Sequence, residues 1–326
     1  MIDQFGRKIE YLRISVTDKC NLRCVYCMPL DGLNWLKRES ILTFEEITQI
    51  VGTMVPMGLR KVRFTGGEPL VRKDLPDLVK MIAEFPEIED ISLSTNAVLL
   101  AEQGPRLRDA GINRVNISLD SLQADRVDAI SRRPGSFERI MQGLEVAQEL
   151  GFEPIKINVV VIAGENDDEI EDFALITKDK PWSVRFIELM PTGSNLDLSA
   201  RNFVSCQEVL TRLRAISDLH PVRGPVGNGP ATYYSFPGAE GTVGVITPLS
   251  HNFCDKCNRM RLTADGQLRP CLFGDIQTNL RDALRAGRDL VPIVEETLEI
   301  KPERHHLIQG SMEGSGGLVA LSQTGG

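Results

Sequence analysis

The sequence predicts an α/β protein: a partial (β/α)6 TIM barrel over residues 1–223, followed by a smaller C-terminal domain over residues 224–326. Three observations predict it. Six short apolar, β-branched runs recur with helical patterns between them, and such alternation builds βαβ units and a parallel sheet. The repeat ends near residue 190, whereas a closed eight-fold barrel takes about 250 residues. Gly224–Gly241 is then rich in glycine and proline, the composition of a domain transition.

The first strand, Leu12–Thr17, opens onto Asp18 and a cysteine-rich loop. Thr43 before Phe44-Glu45-Glu46 makes a capping box, with Thr43 as cap and Glu46 reaching back. Further strands are expected at Lys61–Thr65, Asp90–Thr95, Arg114–Leu119, Lys156–Ile162 and Val184–Leu189. Ser136 precedes a helical stripe of Phe137, Ile140, Met141, Leu144 and Ala147 that stops at Gly151. Asn166-Asp167-Asp168 opens another helix, carrying Ile170, Phe173 and Leu175, and residues 206–216 form a third. The tail from Gly310 to Gly326 is rich in Gly and Ser, carries one charge at Glu313, and reads as flexible.

Composition narrows the function. The 326 residues are 42% hydrophobic and 25% charged, with a net charge of −8. An acidic chain is a poor match for non-specific nucleic-acid or anionic-membrane binding, so an anionic ligand must be held by local Arg and Lys. Asp3, Arg7, Lys8, Glu10 and Arg13 break up the N-terminus, and no apolar run approaches the roughly 20 residues of a spanning helix. A cytoplasmic location is expected.

Three thiols, Cys20, Cys24 and Cys27, lie within eight residues. Clustered thiolates select zinc, copper(I) or iron–sulfur clusters. Structural zinc wants four ligands, and no fourth Cys or His is near, although a distant one could serve. A cubane held by three cysteines leaves one iron open to a small molecule. A second triplet, Cys254, Cys257 and Cys271, has thirteen residues between its last two members. There His251 could complete a zinc site, and a second open cluster is the competing reading. Cys206 stands alone and reads as structural.

In barrels the chemistry sits at the C-terminal ends of strands. Thr65-Gly66-Gly67-Glu68-Pro69 follows strand two, and its paired glycines admit a ligand close to the backbone. Strand alternation puts Arg63 with Thr65, and Lys156 with Asn158, on one face. Several cations on barrel strands (Lys61, Arg63, Lys156 and Arg185) in an acidic chain favour a bound polyanion over salt-bridged wall residues. Arg259 and Arg261 alternate between the second cysteines, and a guanidinium pair suits phosphate oxygens.

The Cys20–Cys27 spacing, with Tyr26 between its last two cysteines, resembles the radical S-adenosylmethionine (SAM) enzymes. With TGGEPL, the six-strand order, the C-terminal CxxC…C with its Arg-x-Arg insert and the Gly-Gly terminus, the whole chain resembles the GTP 3′,8-cyclase family of that class, which opens molybdenum cofactor biosynthesis. The resemblance implies a partial barrel and two [4Fe-4S] clusters, one on Cys20, Cys24 and Cys27, the other on Cys254, Cys257 and Cys271. It implies SAM against Tyr26, Gly67, Ser118 and Met190. It implies GTP against Arg13, Arg63, Ser94, Lys156, Arg259, Met260 and Arg261, with Lys61 and Arg185 as further phosphate ligands. Gly325 and Gly326 would reach the active site and, with Arg259 and Arg261, serve the reaction. That reaction would take hydrogen from GTP C3′ and join C3′ to C8. A flavodoxin or ferredoxin would supply the electron, cyclic pyranopterin monophosphate synthase would act next, and the chain would be a monomer or homodimer.

Two departures from the family pattern stand out. Ser94-Thr95-Asn96-Ala97 replaces Thr-Thr-Asn-Gly, so Ala97 implies a backbone that needs no positive φ. The residues before Gly325 also lack the usual apolar-aromatic ending. A radical-SAM peptide or RNA modifier would carry more C-terminal cysteines or a basic surface. A zinc-stabilised binding module would leave TGGEPL unexplained.

Overall fold

The computed structural model describes residues 1–326 apart from 194, 228, 306, 308–320 and 325–326. The first half alternates strand and helix: β1 (Tyr11–Ser15), α1 (Phe44–Met54), β2 (Lys61–Thr65), α2 (Leu75–Ala83), β3 (Asp90–Thr95), α3 (Leu100–Ala110) and β4 (Arg114–Ser118). Then come α4 (Ala124–Ser131), α5 (Ser136–Glu149), β5 (Ile155–Val161), α6 (Ile170–Asp179) and β6 (Ser183–Glu188). The six expected strands are all present. The capping box is made: Glu46 N donates to Thr43 Oγ1 at 3.2 Å, and Thr43 N to the Glu46 carboxylate at 2.8 Å. Ser136 is the first helical residue of α5 rather than its cap, because Gly135 takes the left-handed capping position.

After β6 the chain forms α7 (Leu196–Arg201), α8 (Cys206–Ile216), β7 (His220–Val222), β8 (Thr232–Ser235), β9 (Thr242–Ile246) and β10 (Arg259–Leu262). It continues through β11 (Gln267–Arg269), β12 (Thr278–Asn279), α9 (Leu280–Arg285), α10 (Val291–Glu299) and α11 (Leu321–Thr324). Strands from beyond residue 223 join the barrel sheet at both sides. β10 pairs in parallel with β1, and β9 in parallel with β6. The order is β12-β11-β10-β1-β2-β3-β4-β5-β6-β9-β8-β7, an open sheet with antiparallel rims.

Side chains alternate across this sheet, and the alternation separates two environments. The outer face carries Leu12, Ile14, Val62, Phe64, Ile157 and Phe186, all fully buried against the helices. Burying a side chain of this size is worth about 1.5–3 kcal/mol, so the hydrophobic core lies outside the strands. The inner face is polar: Arg13, Arg63, Asn116, Lys156, Asn158 and Arg185 point into the barrel. Strand pairing therefore does two jobs, sealing an apolar shell and lining a charged interior.

Ala97 does not behave as its side chain suggests. Its φ is +62°, in the left-handed region, which costs a residue with a Cβ about 1–2 kcal/mol. The turn is imposed from outside. The Glu68 carboxylate accepts the Asn96 amide at 2.7 Å and the Thr95 hydroxyl at 2.7 Å, and Thr95 Oγ1 then accepts the Ala97 amide at 3.0 Å.

Candidate active site

The C-terminal ends of the strands surround two adjoining cavities. The smaller, of about 690 Å³, is lined by Cys20, Cys24 and Cys27 together with Gly66, Gly67 and Glu68. The cysteine loop is bound to the segment after β2: Gly67 N donates to Thr17 O at 2.8 Å and Glu68 N to Lys19 O at 2.8 Å. Glycine is required for that approach, because a Cβ on Gly67 would lie 2.3 Å from Lys19 O and 2.6 Å from Asp18 O. Asn96 ties the loop from the β3 side, its amide donating to Asn21 Oδ1 at 2.8 Å.

Electrostatics here favour a cationic guest. Burial, with help from Glu68, pushes the Cys20 thiol up to about 12, and burial pushes Cys27 up to about 11. Glu68 rises to about 7 for the same reason. Protonated buried thiols are poised to exchange protons for metal, which demands the thiolate. None of the seven cysteines is in a disulfide. Among the described residues no three His, Cys, Asp or Glu side chains are gathered to hold a single ion, whereas a cubane takes each thiolate on a different iron. The donor set of Cys20, Cys24 and Cys27 fits such a cluster.

The larger cavity, of about 1360 Å³, shares Tyr26, Ser94, Ser118 and Leu321 with the first. It is lined by Cys254, Cys257 and Cys271 and by Arg13, Arg63, Arg185, Arg259 and Arg261. Met190 also lines it. Among the described residues Asp120 is the sole carboxylate lining it, and it is engaged by the Tyr26 hydroxyl at 2.7 Å. Burial lowers Arg63 to about 9, with Arg13, Arg114 and Arg185 adding repulsion. Among the described residues the buried Nε atoms of Arg13, Arg185 and Arg259 have no hydrogen-bond partner. Unsatisfied buried donors of one sign are the mark of an anion site.

Not every expected residue joins this group. Lys61 is the first residue of β2, at the opposite end of the barrel, and is ion-paired to Glu10 at 2.7 Å. Lys156 faces the interior but lies beneath the loop after β7, its Nζ donating to Val226 O at 2.7 Å. Burial, then Arg185, Arg114 and Arg63, lowers it to about 6. Met260 is buried at 1% exposure on the outer face of β10, between the two inward arginines. His251 is exposed and away from the cavity wall. Cys206 is buried at the start of α8, as expected of a structural thiol.

The tail contributes more than its composition indicates. α11 lies at the site: Leu321 lines both cavities, Ser322 the first, and Thr324 O accepts from Arg261 at 3.5 Å. Gly325 and Gly326 lie outside the described residues, as do residues 310–320.

Several supporting residues escaped the sequence reading. Glu188, 1% exposed, accepts the amides of Cys206, Leu249 and Ser250 at 3.1 Å and the Ser250 hydroxyl. It anchors the loop that leads to Cys254. Arg114 is bound to Asp90 in a two-pronged pair, with Nε to Oδ1 at 2.8 Å. A buried carboxylate at the end of a strand was the available signal for Glu188.

Comparison with known proteins agrees with this geometry. Residues 14–175 match the Radical SAM superfamily and residues 182–307 match Molybdenum Cofactor Synthesis C. The chain is 46% identical over 314 residues to the GTP 3′,8-cyclase of Pelotomaculum thermopropionicum, covering 95% of this chain and 96% of that protein. It belongs to the GTP 3′,8-cyclase family of radical-SAM enzymes. The GTP 3′,8-cyclase of Listeria monocytogenes serotype 4b is 47% identical over 306 residues, covering 94% of this chain and 92% of its own. That of Moorella thermoacetica is 44% identical over 329 residues and the full length of both chains. A likeness of fold extends to Streptococcus suis SuiB bound to S-adenosylmethionine, at a TM-score of 0.55 and 18% identity, covering 88% of this chain and 68% of that one. The radical-SAM family brings SAM and a [4Fe-4S] cluster. Among the described residues no helix of the cyclase-family chain is long and apolar enough to cross a membrane.

Proposed function

We propose that this chain converts GTP to (8S)-3′,8-cyclo-7,8-dihydroguanosine 5′-triphosphate at the two joined cavities. The observation that carries the reading is the buried Nε donors of Arg13, Arg185 and Arg259, without a hydrogen-bond partner among the described residues, in the cavity that the second cysteine triplet also lines. A triphosphate supplies the missing acceptors, and charge-assisted hydrogen bonds to it are the strong kind.

Cys20, Cys24 and Cys27 hold the first cluster, and Gly67 and its neighbours take the SAM amino group. When bound, that cluster and SAM supply the 5′-deoxyadenosyl radical that removes the C3′ hydrogen. Cys254, Cys257 and Cys271 would hold a second [4Fe-4S] cluster, which would bind the purine. Arg13, Arg63, Arg185, Arg259 and Arg261 cradle the phosphates and fix the ribose near Ser94 and Ser118. Leu321 and Ser322 cover the junction of the cavities and keep water from it. Gly325 and Gly326, outside the described residues, serve the reaction in this reading.

Lys156, held by Val226 O, and Lys61, paired to Glu10, are the outlying phosphate candidates. Residues 1–223 supply SAM chemistry and residues 224–326 supply the purine side. A flavodoxin or ferredoxin gives the electron, and the product passes to cyclic pyranopterin monophosphate synthase. The enzyme works in the cytoplasm as a monomer or homodimer.

The test is an anaerobic assay of iron-reconstituted chain with SAM, dithionite and GTP deuterated at C3′. About eight irons per chain and deuterium in 5′-deoxyadenosine are expected. Formation of 5′-deoxyadenosine without label, at the same rate with or without GTP, would reject the substrate.

A further inference from the structure

Two buried cations turn their donors onto the backbone that carries the second cysteine triplet. Arg7 donates to Cys254 O at 2.8 Å, to Glu303 O at 2.7 Å and to Pro302 O at 2.7 Å, and its charge is matched by Asp3 at 2.6 Å. Lys301 lies just before those two carbonyls and is 2% exposed. Its Nζ donates to Arg259 O at 3.1 Å, two residues past Cys257, and to Pro270 O, the residue before Cys271. The Cys257 sulfur is a further partner. An ammonium has three donors, and here they reach both cysteine arms.

Lys301 differs from Arg7 in its charge balance. Among the described residues no carboxylate is paired with it, and a buried, uncompensated ammonium is costly. Among the described residues its anionic partner in prospect is the Cys257 thiolate. The backbone holds it in place: Lys301 N donates to Leu298 O at 3.3 Å, and Lys301 O accepts from the Gln4 side chain at 3.1 Å. The position is fixed before any guest arrives.

We propose that Lys301 is a positioning residue for the second cysteine centre, bracing the Cys257 and Cys271 arms together and supplying the counter-charge that sets the reduction potential of the cluster held there. The inference rests on the reading of Cys254, Cys257 and Cys271 as cluster ligands. Removing a buried positive charge disfavours the more negative, reduced state, so the potential falls. Outer partners of a metal site commonly change affinity or activity by about 10–100-fold.

The experiment compares anaerobically reconstituted full-length wild type with K301Q, K301R and K301M. Iron per chain, the potential of each centre by redox titration followed by electron paramagnetic resonance, and GTP and SAM affinities are measured. K301Q keeps hydrogen-bonding capacity but no charge. It should retain its iron, show a more negative second-centre potential, bind GTP about tenfold more weakly, and leave SAM affinity unchanged. K301R should return the potential toward wild type. An unchanged potential in K301Q would overturn the proposal. So would a loss seen only in K301M, which would mean packing instead of charge. A wild-type chain with about four irons would reject the second centre itself, a result distinct from eight irons with no effect at Lys301.

Discussion

The Tyr26 hydroxyl donates to Asp120 Oδ2 at 2.7 Å, joining the cysteine loop to the segment after β4. The other Asp120 oxygen accepts the Val160 amide at 2.9 Å. Burial pushes the Asp120 carboxyl up to about 6, against the hydrogen bonds from Val160 and Tyr26. A carboxyl raised in the folded state contributes stability in acid that is lost as pH rises through about 6. In the metal-free chain, Asp120→Asn should therefore gain stability relative to wild type between pH 4 and pH 6.5, on the order of 2–3 kcal/mol. Urea unfolding at the two pH values measures it. A constant difference would mean that Asp120 titrates normally.

Gly67→Ala should damage the first centre selectively. The added methyl must displace the Lys19 and Asp18 carbonyls, 2.3 and 2.6 Å from its ideal position. Overpacking of this kind costs about 1–3 kcal/mol. The expected result is SAM affinity lowered at least tenfold, with GTP affinity held within about twofold, read by equilibrium binding.

Glu188→Ala should damage the second. Three backbone amides and one hydroxyl lose their acceptor together. The expected loss is about 3 kcal/mol, with less iron retained beside Cys254. Glu188→Gln keeps one acceptor oxygen and should fall between. Thermal unfolding and iron analysis read both effects.

Arg259→Ala or Arg261→Ala should weaken GTP binding by about ten- to a hundredfold, the worth of a charge-assisted hydrogen bond. SAM cleavage should stay largely intact. Unchanged GTP affinity in a titration would remove the phosphate role.

The strands were legible because their outer face is apolar and their inner face polar, a period-two pattern that survives in a single sequence. The two cysteine triplets were visible in the sequence by their spacing, and each lines one of the adjoining cavities. Alternation reports which face a residue takes but not its height in the barrel. Of the basic residues expected on the inner wall, Lys61 thus lies at the amino end of its strand and Lys156 beneath Val226. Ala97 was misread because its turn is dictated by Glu68, on another strand's loop. Lys301 acquires meaning only from carbonyls remote in sequence, which no local pattern announces, whereas Glu188 offered a carboxylate at a strand end but not its amide partners.

The parallel pairing of β1 with β10 has a consequence for how the molecule is made. Tyr11–Ile14 leave the ribosome well before their register partners, Arg259–Leu262. Until those residues emerge, one side of the first strand is an unsatisfied edge, open to pairing with another nascent chain. Closure is a late, non-local event of the slow kind. Chaperone engagement of the growing chain should persist until synthesis passes β10, and truncations ending before Arg259 should aggregate through that edge.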